Sequence, residues 1–374
     1  MENRITNLEI RQKNRSAIFR LFRERDALSR QEIVQELGLS LPTVTHNLEE
    51  LMAEGLVAVT GSVGNTGGRR ARSYSLVSDA RTAIGMDITR NRVTATALDL
   101  RGRSIGTVRR NVTFSCADAY YRALGEVVAE LVRETKLKER NILGVGISVP
   151  GLITPDHQKV FYGEILHFTD MTCTELARYI PYPTSLYNDA GAAGYAEFWA
   201  CPDTPDAFYI MLSNNIGGSI CIGGKPYEGE HTRAGEVGHM VIVPEGKRCY
   251  CGQRGCMDAY CAATVLSSAA KGDLTEFFRR LKKDDPDIRA VWEEYLGHLA
   301  LTVVNLRMLF DCRIILGGYV GAWMEDYMEE LKKLVRGRCS IEKEEDYLIP
   351  CRFRSNASAS GVALSYLSVF LNSI

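Results

Sequence analysis

From Asn14 to Arg25 the apolar residues Ala17, Ile18, Leu21 and Phe22 recur at three- and four-residue intervals, and the spacing predicts an amphipathic helix. Arg11, Lys13, Arg15, Arg20, Arg23 and Arg25 surround that stripe. In "LSRQEIVQELGLSLPTVTHNLEELMAEGLV", residues 28–57, Ser29 and Glu32 have the S-x-x-E spacing of a capping box. The helix they open buries Ile33 and Leu37 and stops at Gly38, which tolerates a left-handed turn. Ser40 caps a second helix with Pro42 in its first turn, where a missing N–H does no harm. Val44, Leu48 and Leu51 form its inner stripe, which leaves Thr43, Thr45, His46 and Asn47 on the outside near its start.

Two short helices joined by Gly-Leu-Ser match a helix-turn-helix, whose second helix reads the major groove with its N-terminal residues. Apolar runs at 57–59 and 74–77 flank a glycine-rich basic tip and predict a β-hairpin wing. Arg69, Arg70 and Arg72 at that tip suit phosphate or narrow minor-groove contacts. A small helical domain that binds protein, with Gly-Gly-Arg-Arg as a solvated linker, is the plainer alternative. The wing and its arginines favour DNA, with Pro42, Thr43, Thr45, His46, Asn47, Arg69, Arg70 and Arg72 as the contact set.

The texture changes at Ala83. Residues 83–112 run apolar in three short segments with a turn at Arg101-Gly102, and predict three antiparallel strands. A helix over 118–136 and a buried strand, "ILGVGISVPG", follow. "TSLYNDAGAAGYAEFWA" predicts a strand and then a helix, with Asn188-Asp189 at the junction. "FYIMLSNNIGGSICIGGKPYEG" repeats the strand texture of 83–112, so the expectation is an internally duplicated α/β architecture with a cleft between two lobes.

Bulk composition narrows the setting. With 45% apolar and 24% charged residues and a net charge of −1, the 374-residue chain is ordinary globular material for two or three domains. No run approaches the roughly 18 apolar residues that span a bilayer, and the first residues lack an apolar signal core. The expectation is a cytoplasmic protein without a membrane partner, whose eleven cysteines are thiols or metal ligands rather than disulfides. Three of them fall in "CYCGQRGC", residues 249–256. With His239 they make H-x9-C-x-C-x4-C, and one imidazole with three thiolates suits tetrahedral zinc. Gly252 and Gly255 allow the tight turns that bring three sulfurs to one point. Four protein ligands leave no open position for water, so the expected role of one Zn2+ per chain, held by His239, Cys249, Cys251 and Cys256, is structural. Buried unliganded thiols are the alternative.

The segments "ISVPGLI", "YNDAGAAGYAEFW", "GEVGHMVI" and "CYCGQRGCMDAYCA", in this order, resemble the ROK family (repressors, open reading frames and sugar kinases). With the N-terminal helix-turn-helix and "GGRRA", the chain is similar to the repressor branch, which includes xylose-repressor-like proteins. The resemblance implies an α/β fold: a winged helix-turn-helix followed by a two-lobed actin-like, hexokinase-like ATPase fold, assembled as a homodimer or homotetramer. It places the DNA-binding domain at 1–80 and the sugar-binding domain at 81–374. Lobe 1 then covers about 81–188 plus the C-terminal helix 355–374, and lobe 2 about 189–354. It also implies that Asn188, Asp189, Glu236, His239 and Asp258, with Gly151 of "ISVPGLI", contact a sugar effector. A carboxylate and amide set of this kind suits clustered hydroxyls. Asp258 stands where the family commonly has Glu, one methylene longer.

Asp189 also matches the base of the family's kinases, but phosphoryl transfer depends on a phosphate cradle. The first glycine turn of those kinases, D-x-G-G-T-K, is here Asp87-Ile88-Thr89-Arg90-Asn91-Arg92, with both glycines gone. The second reads "SNNIGGS" at 213–219 and keeps only Gly217 and Gly218, whereas a third pair survives in "LGGYVG", 316–321. The expectation is a sugar-responsive repressor of carbohydrate-utilisation genes on a palindromic operator, with catalysis lost and Asp189 vestigial. The alternative is an active sugar kinase carrying a DNA-binding domain.

Overall fold

The computed structural model describes residues 7–63, 71–341 and 344–374. The chain begins with helix α1 (Asn7–Glu24), strand β1 (Leu28–Ser29), α2 (Arg30–Leu37) and α3 (Leu41–Ala53). Ser29 caps α2 in a complete capping box with Glu32, and Gly38 ends that helix at φ 63°. The Ser40 hydroxyl accepts from Thr43 N at the start of α3, where Pro42 sits in the first turn. Hairpin strands β2 (Val57–Val63) and β3 (Ala71–Leu76) pair antiparallel, and β1 adds to β3. This is the winged helix-turn-helix that the hydrophobic spacing predicts. One position is corrected. Asn47 is not on the outer face but 2% exposed, with its Nδ2 donating to Thr43 O at 2.8 Å. Positions 44, 47, 48 and 51 share one helical face, so the fold buries Asn47 with its apolar neighbours.

The rest of the chain forms two five-stranded sheets with the same topology. In the first, β4 (Thr82–Ile88), β5 (Val93–Leu98) and β6 (Ser104–Arg110) run as an antiparallel meander. After α4 (Asp118–Thr135), β7 (Ile142–Val149) joins β4 in parallel, and β8 (Thr184–Asn188) joins β7 in parallel. Helix α5 (Asp189–Ala200) crosses to the second sheet. There the meander is β9 (Ala207–Leu212), β10 (Ile216–Ile222) and β11 (Lys225–Tyr227). The long α6 (Pro286–Phe310) precedes β12 (Arg313–Gly317), parallel to β9, and β13 (Leu348–Pro350) closes the sheet beside β12. The expected duplication is therefore present strand for strand.

The two halves meet at α5 and the C-terminal α7 (Ala357–Ser373). Helix α7 packs on β4 and β7, α5 packs on β9 and β10, and the two helices cross. Glycine permits the crossing, since a Cβ at Gly361 would lie 1.7 Å from Ala192 O. The buried core of the DNA-binding domain, including Ile18, Phe22 and Leu48, continues into Leu98, Leu100, Ala196 and Leu364. That domain is thus packed onto the outer ends of α5 and α7 rather than hung from a free linker. Among the described residues no helix is long and apolar enough to cross a membrane.

Candidate functional site

The cleft between the sheets holds a cavity of about 1000 Å³. Its floor is the β8–α5 junction. Asn188 is the N-cap of α5: its Oδ1 accepts from Gly191 N at 2.8 Å, and its Nδ2 donates to Gly151 O at 3.1 Å. The amide therefore ties the Gly151 turn to the helix and keeps one N–H for a ligand. Asp189, the first residue of α5, accepts from Ala190 N at 2.9 Å. Burial, reinforced by the nearby Asp87, pushes its carboxyl up to about 8. Asp87 itself accepts from the Ser148 hydroxyl at 2.9 Å, and burial raises it to about 6. The cleft floor thus holds Asp189 largely protonated at neutral pH, able to donate as well as accept a hydrogen bond, beside an Asp87 that is mostly ionised there.

One wall comes from the 236–258 segment. Gly151, Asn188, Asp189, Glu236 and His239 line one continuous crevice of the cleft. Asp258 lines the larger cavity, with Oδ2 accepting from Ile216 N at 2.7 Å. Burial raises both Glu236 and Asp258, the latter to about 6. Burial also lowers His239, which favours the neutral imidazole that a metal requires. Sequence reasoning missed Tyr250. It sits between two of the cysteines, with its hydroxyl 3.2 Å from His239 Nε2, and lines both parts of the cleft.

The ligand atoms of His239, Cys249, Cys251 and Cys256 all lie within 4.8 Å of one another. Cys251 Sγ is 3.9 Å from Cys256 Sγ, and Cys249 Sγ is 3.9 Å from His239 Nδ1. Four ligands at tetrahedral zinc distances would be separated by about 3.3–3.8 Å, so the set fits a single ion once its widest pair closes by about 1 Å. Gly252 at φ 91° and Gly255 at φ 80° make the turns that the spacing requires. The cluster can hold a metal, with His239 Nδ1 toward Cys249 and Nε2 on the other side of the ring, near Tyr250 OH and 3.9 Å from Glu236 Oε2.

The phosphate-cradle positions are filled differently from an open glycine turn. Thr89 N donates to Arg92 O at 2.9 Å, closing the β4–β5 turn. The Arg90 guanidinium donates to Ile165 O, and Arg92 Nη2 reaches Tyr319 OH on the opposite lobe at 3.5 Å. The surviving glycines serve packing. Gly217 and Gly218 lie within β10, where Cβ atoms would fall 2.5 Å from the Ala190 Cβ and 2.7 Å from Gly235 O. A Cβ at Gly317 would meet Tyr209 OH at 2.3 Å.

At the other end of the molecule, Pro42 and His46 are exposed, Thr43 and Thr45 are half-buried, and Arg72 is exposed on β3. Arg69 and Arg70 lie outside the described residues. His46 Nε2 is 3.5 Å from Glu50. Several basic residues of α1 are engaged within the protein: Arg11 pairs with Glu50, and Arg15 pairs with Glu54 at 2.6 Å. Arg23 donates to Leu100 O at 3.0 Å, and its guanidinium lies 4.8 Å from the Trp199 ring centre.

Comparison with known proteins agrees with this geometry. Residues 83–368 match the ROK family, and residues 12–60 match a helix-turn-helix domain. The chain belongs to the ROK family. Among ROK relatives, it is 25% identical over 332 residues to the DNA-binding transcriptional dual regulator NagC of Escherichia coli (strain K12), covering 83% of this chain and 81% of that one. It is 23% identical over 375 residues to the xylose repressor of Bacillus subtilis (strain 168), covering 98% and 97%. A crystal structure of a ROK family transcriptional regulator, a homologue of the E. coli MLC protein, superposes with a TM-score of 0.75 at 20% identity, covering 97% of each chain.

Proposed function

We propose that this chain is a sugar-responsive transcriptional repressor of carbohydrate-utilisation genes, acting in the cytoplasm as a homodimer on a palindromic operator. The DNA-binding unit is residues 1–80, and the sensor is 81–374. In the sensor, lobe 1 (about 81–188 with 355–374) faces lobe 2 (about 189–354). The observation that carries the reading is the placement of α5. Its first turn bears Asn188 and Asp189 in the cleft, and its last turn bears Trp199 under Arg23 of the DNA-binding domain. A ligand held by Asn188, Asp189, Glu236, His239, Asp258 and the Gly151 turn acts on a rod that ends at the DNA-binding domain. The names of the NagC and xylose-repressor relatives support the same role. One Zn2+ on His239, Cys249, Cys251 and Cys256 would supply a fixed wall for that pocket, since all four positions are protein ligands.

Mechanistically, each acid pairs with adjacent sugar hydroxyls, and Asn188 adds its remaining N–H. Lobe closure then moves α5 and changes the separation of two recognition helices that must sit about one helical turn apart on the operator. The sugar must bind one lobe arrangement better than the other for this to work. Arg90 and Arg92 reach from the β4–β5 turn to contacts at Ile165 and Tyr319, which supports sensing over phosphoryl transfer. The retained Asp87 and Asp189 favour the kinase alternative, so ADP release with a panel of sugars is measured alongside. In a fluorescence-anisotropy titration, the effector sugar should weaken operator binding by at least about tenfold. Glu236→Ala should abolish that response and leave sugar-free operator affinity within about twofold. An unchanged response in the variant, or sugar-dependent ADP release, overturns the reading.

A further inference from the structure

Behind the crevice lined by Asn188 and Glu236 lies a second cavity of about 180 Å³, bounded by both lobes. It shares Leu152, Asn188 and Glu236 with the crevice, so the two are adjoining compartments with one carboxylate between them. Its volume is close to that of one pyranose ring. Four aromatic rings line it: His157, Tyr187, Tyr195 and Tyr227. His157 and Tyr187 pack with centroids 4.6 Å apart, and His157 Nδ1 is 2.8 Å from Leu186 O. A carbonyl partner can only accept, so Nδ1–H donates to it and Nε2 is left for a ligand. Glu228 and Thr232 add a carboxylate and a hydroxyl. Aromatic faces for the C–H surface of a sugar, with carboxylates and hydroxyls around them for its oxygens, are the chemistry of a pyranose site.

Two further observations bear on what the cavity does. His157 at φ 59° and Thr232 at φ 51° both hold left-handed backbone, which for a β-branched threonine is a strained conformation. Thr232 Oγ1 donates to Ile153 O at 3.1 Å, so the cavity is bridged by a hydrogen bond from one lobe to the other. An occupant there would touch both lobes.

We propose that this cavity is a second sugar subsite, and that the effector is a disaccharide whose two rings meet at Glu236. The proposal rests on the sugar-sensing reading above and gives it a ligand class. One ring sits at Asn188, Asp189 and His239, where the narrow crevice opens into the large cleft cavity. The other stacks among His157, Tyr187 and Tyr227 and is held by Glu228 and Thr232. A single sugar with an N-acyl arm in the second cavity is the competing occupant.

The test is calorimetric titration of the full-length, zinc-loaded protein with xylose and xylobiose, glucose and cellobiose, and N-acetylglucosamine. In one of the paired series the disaccharide should bind at least about tenfold more tightly than its monosaccharide. Tyr227 is 51% exposed, so its truncation spares the core. Tyr227→Ala should remove most of the disaccharide advantage and leave monosaccharide affinity within about twofold, while Tyr227→Phe keeps the advantage. Equal affinity for both members of every pair overturns the subsite, as does N-acetylglucosamine matching the best disaccharide. Tyr227→Ala weakening both ring counts alike also overturns it. Binding of no saccharide by a protein that still binds operator overturns the sugar-sensing reading itself, and the subsite with it.

Discussion

The sulfurs of Cys251 and Cys256 lie 3.9 Å apart. A neutral thiol is a weak hydrogen-bond donor and gains little from that proximity, whereas two thiolates on one zinc ion sit about 3.8 Å apart. The spacing therefore makes sense with a metal, and it makes one residue decisive. Cys251→Ser should reduce bound zinc, measured by mass spectrometry on the purified protein, from about one per chain to a small fraction of that. Because His239 belongs both to the cluster and to the crevice, the thermal stabilisation given by the effector should fall with the zinc. Operator binding without sugar should stay within about twofold, as the cluster has no place in the DNA-binding core. Stoichiometric zinc in the serine variant, or a full sugar response in metal-free protein, would reject the assignment.

Helix α5 has 12 residues, Asp189–Ala200, which at about 1.5 Å per residue make a rod of about 18 Å. Arg23 stacked over Trp199 and bonded to Leu100 O is the contact through which that rod meets α1. A partly desolvated cation–π contact contributes about 1–2 kcal/mol, so its loss should loosen the coupling without unfolding either domain. Trp199→Ala should keep sugar binding and sugar-free operator binding, yet cut the sugar effect on operator affinity from about tenfold to under about threefold. An undiminished effect would place the coupling elsewhere, for instance in α7. This contact could not be read from the sequence, because Arg23 and Trp199 lie on elements that only the tertiary fold brings together. The same holds for Arg15 with Glu54, which makes one of the basic residues around the α1 stripe an internal brace. Local signals were legible: Ser29 with Glu32, Gly38 and Ser40 each act within four residues and mark the helices where they occur. The metal set was legible too, since its donors fall between residues 239 and 256 at a characteristic spacing. Tyr250 escaped notice because an aromatic between two cysteines acquires a role only when the loop folds its hydroxyl onto His239. Asn47 was misplaced because its polarity outweighed a spacing that already set it beside Val44 and Leu51.

Across the whole molecule, a buried apolar cluster runs from the DNA-binding helices through Leu98 and Leu100 into α5 and α7. The cleft lies at the opposite end of α5. A packed core has discrete arrangements rather than a continuum, so in the proposed mechanism lobe closure and the seating of the DNA-binding domain would form one two-state change. Thermodynamic linkage then constrains the numbers. Whatever factor the sugar takes from operator affinity, the operator must take from sugar affinity. In a homodimer with two equivalent sugar sites that factor is divided between them, so each site carries its square root. If saturating effector weakens operator binding by about a hundredfold, saturating operator DNA should weaken sugar binding by about tenfold per site, or about 1.4 kcal/mol. Calorimetric titration of the sugar into free dimer and into the dimer–operator complex measures both quantities on the same sample. A per-site change equal to the full operator factor would mean that only one subunit of each pair responds. Sugar affinity that operator DNA leaves unmoved would rule out a shared conformational change between the cleft and the recognition helices.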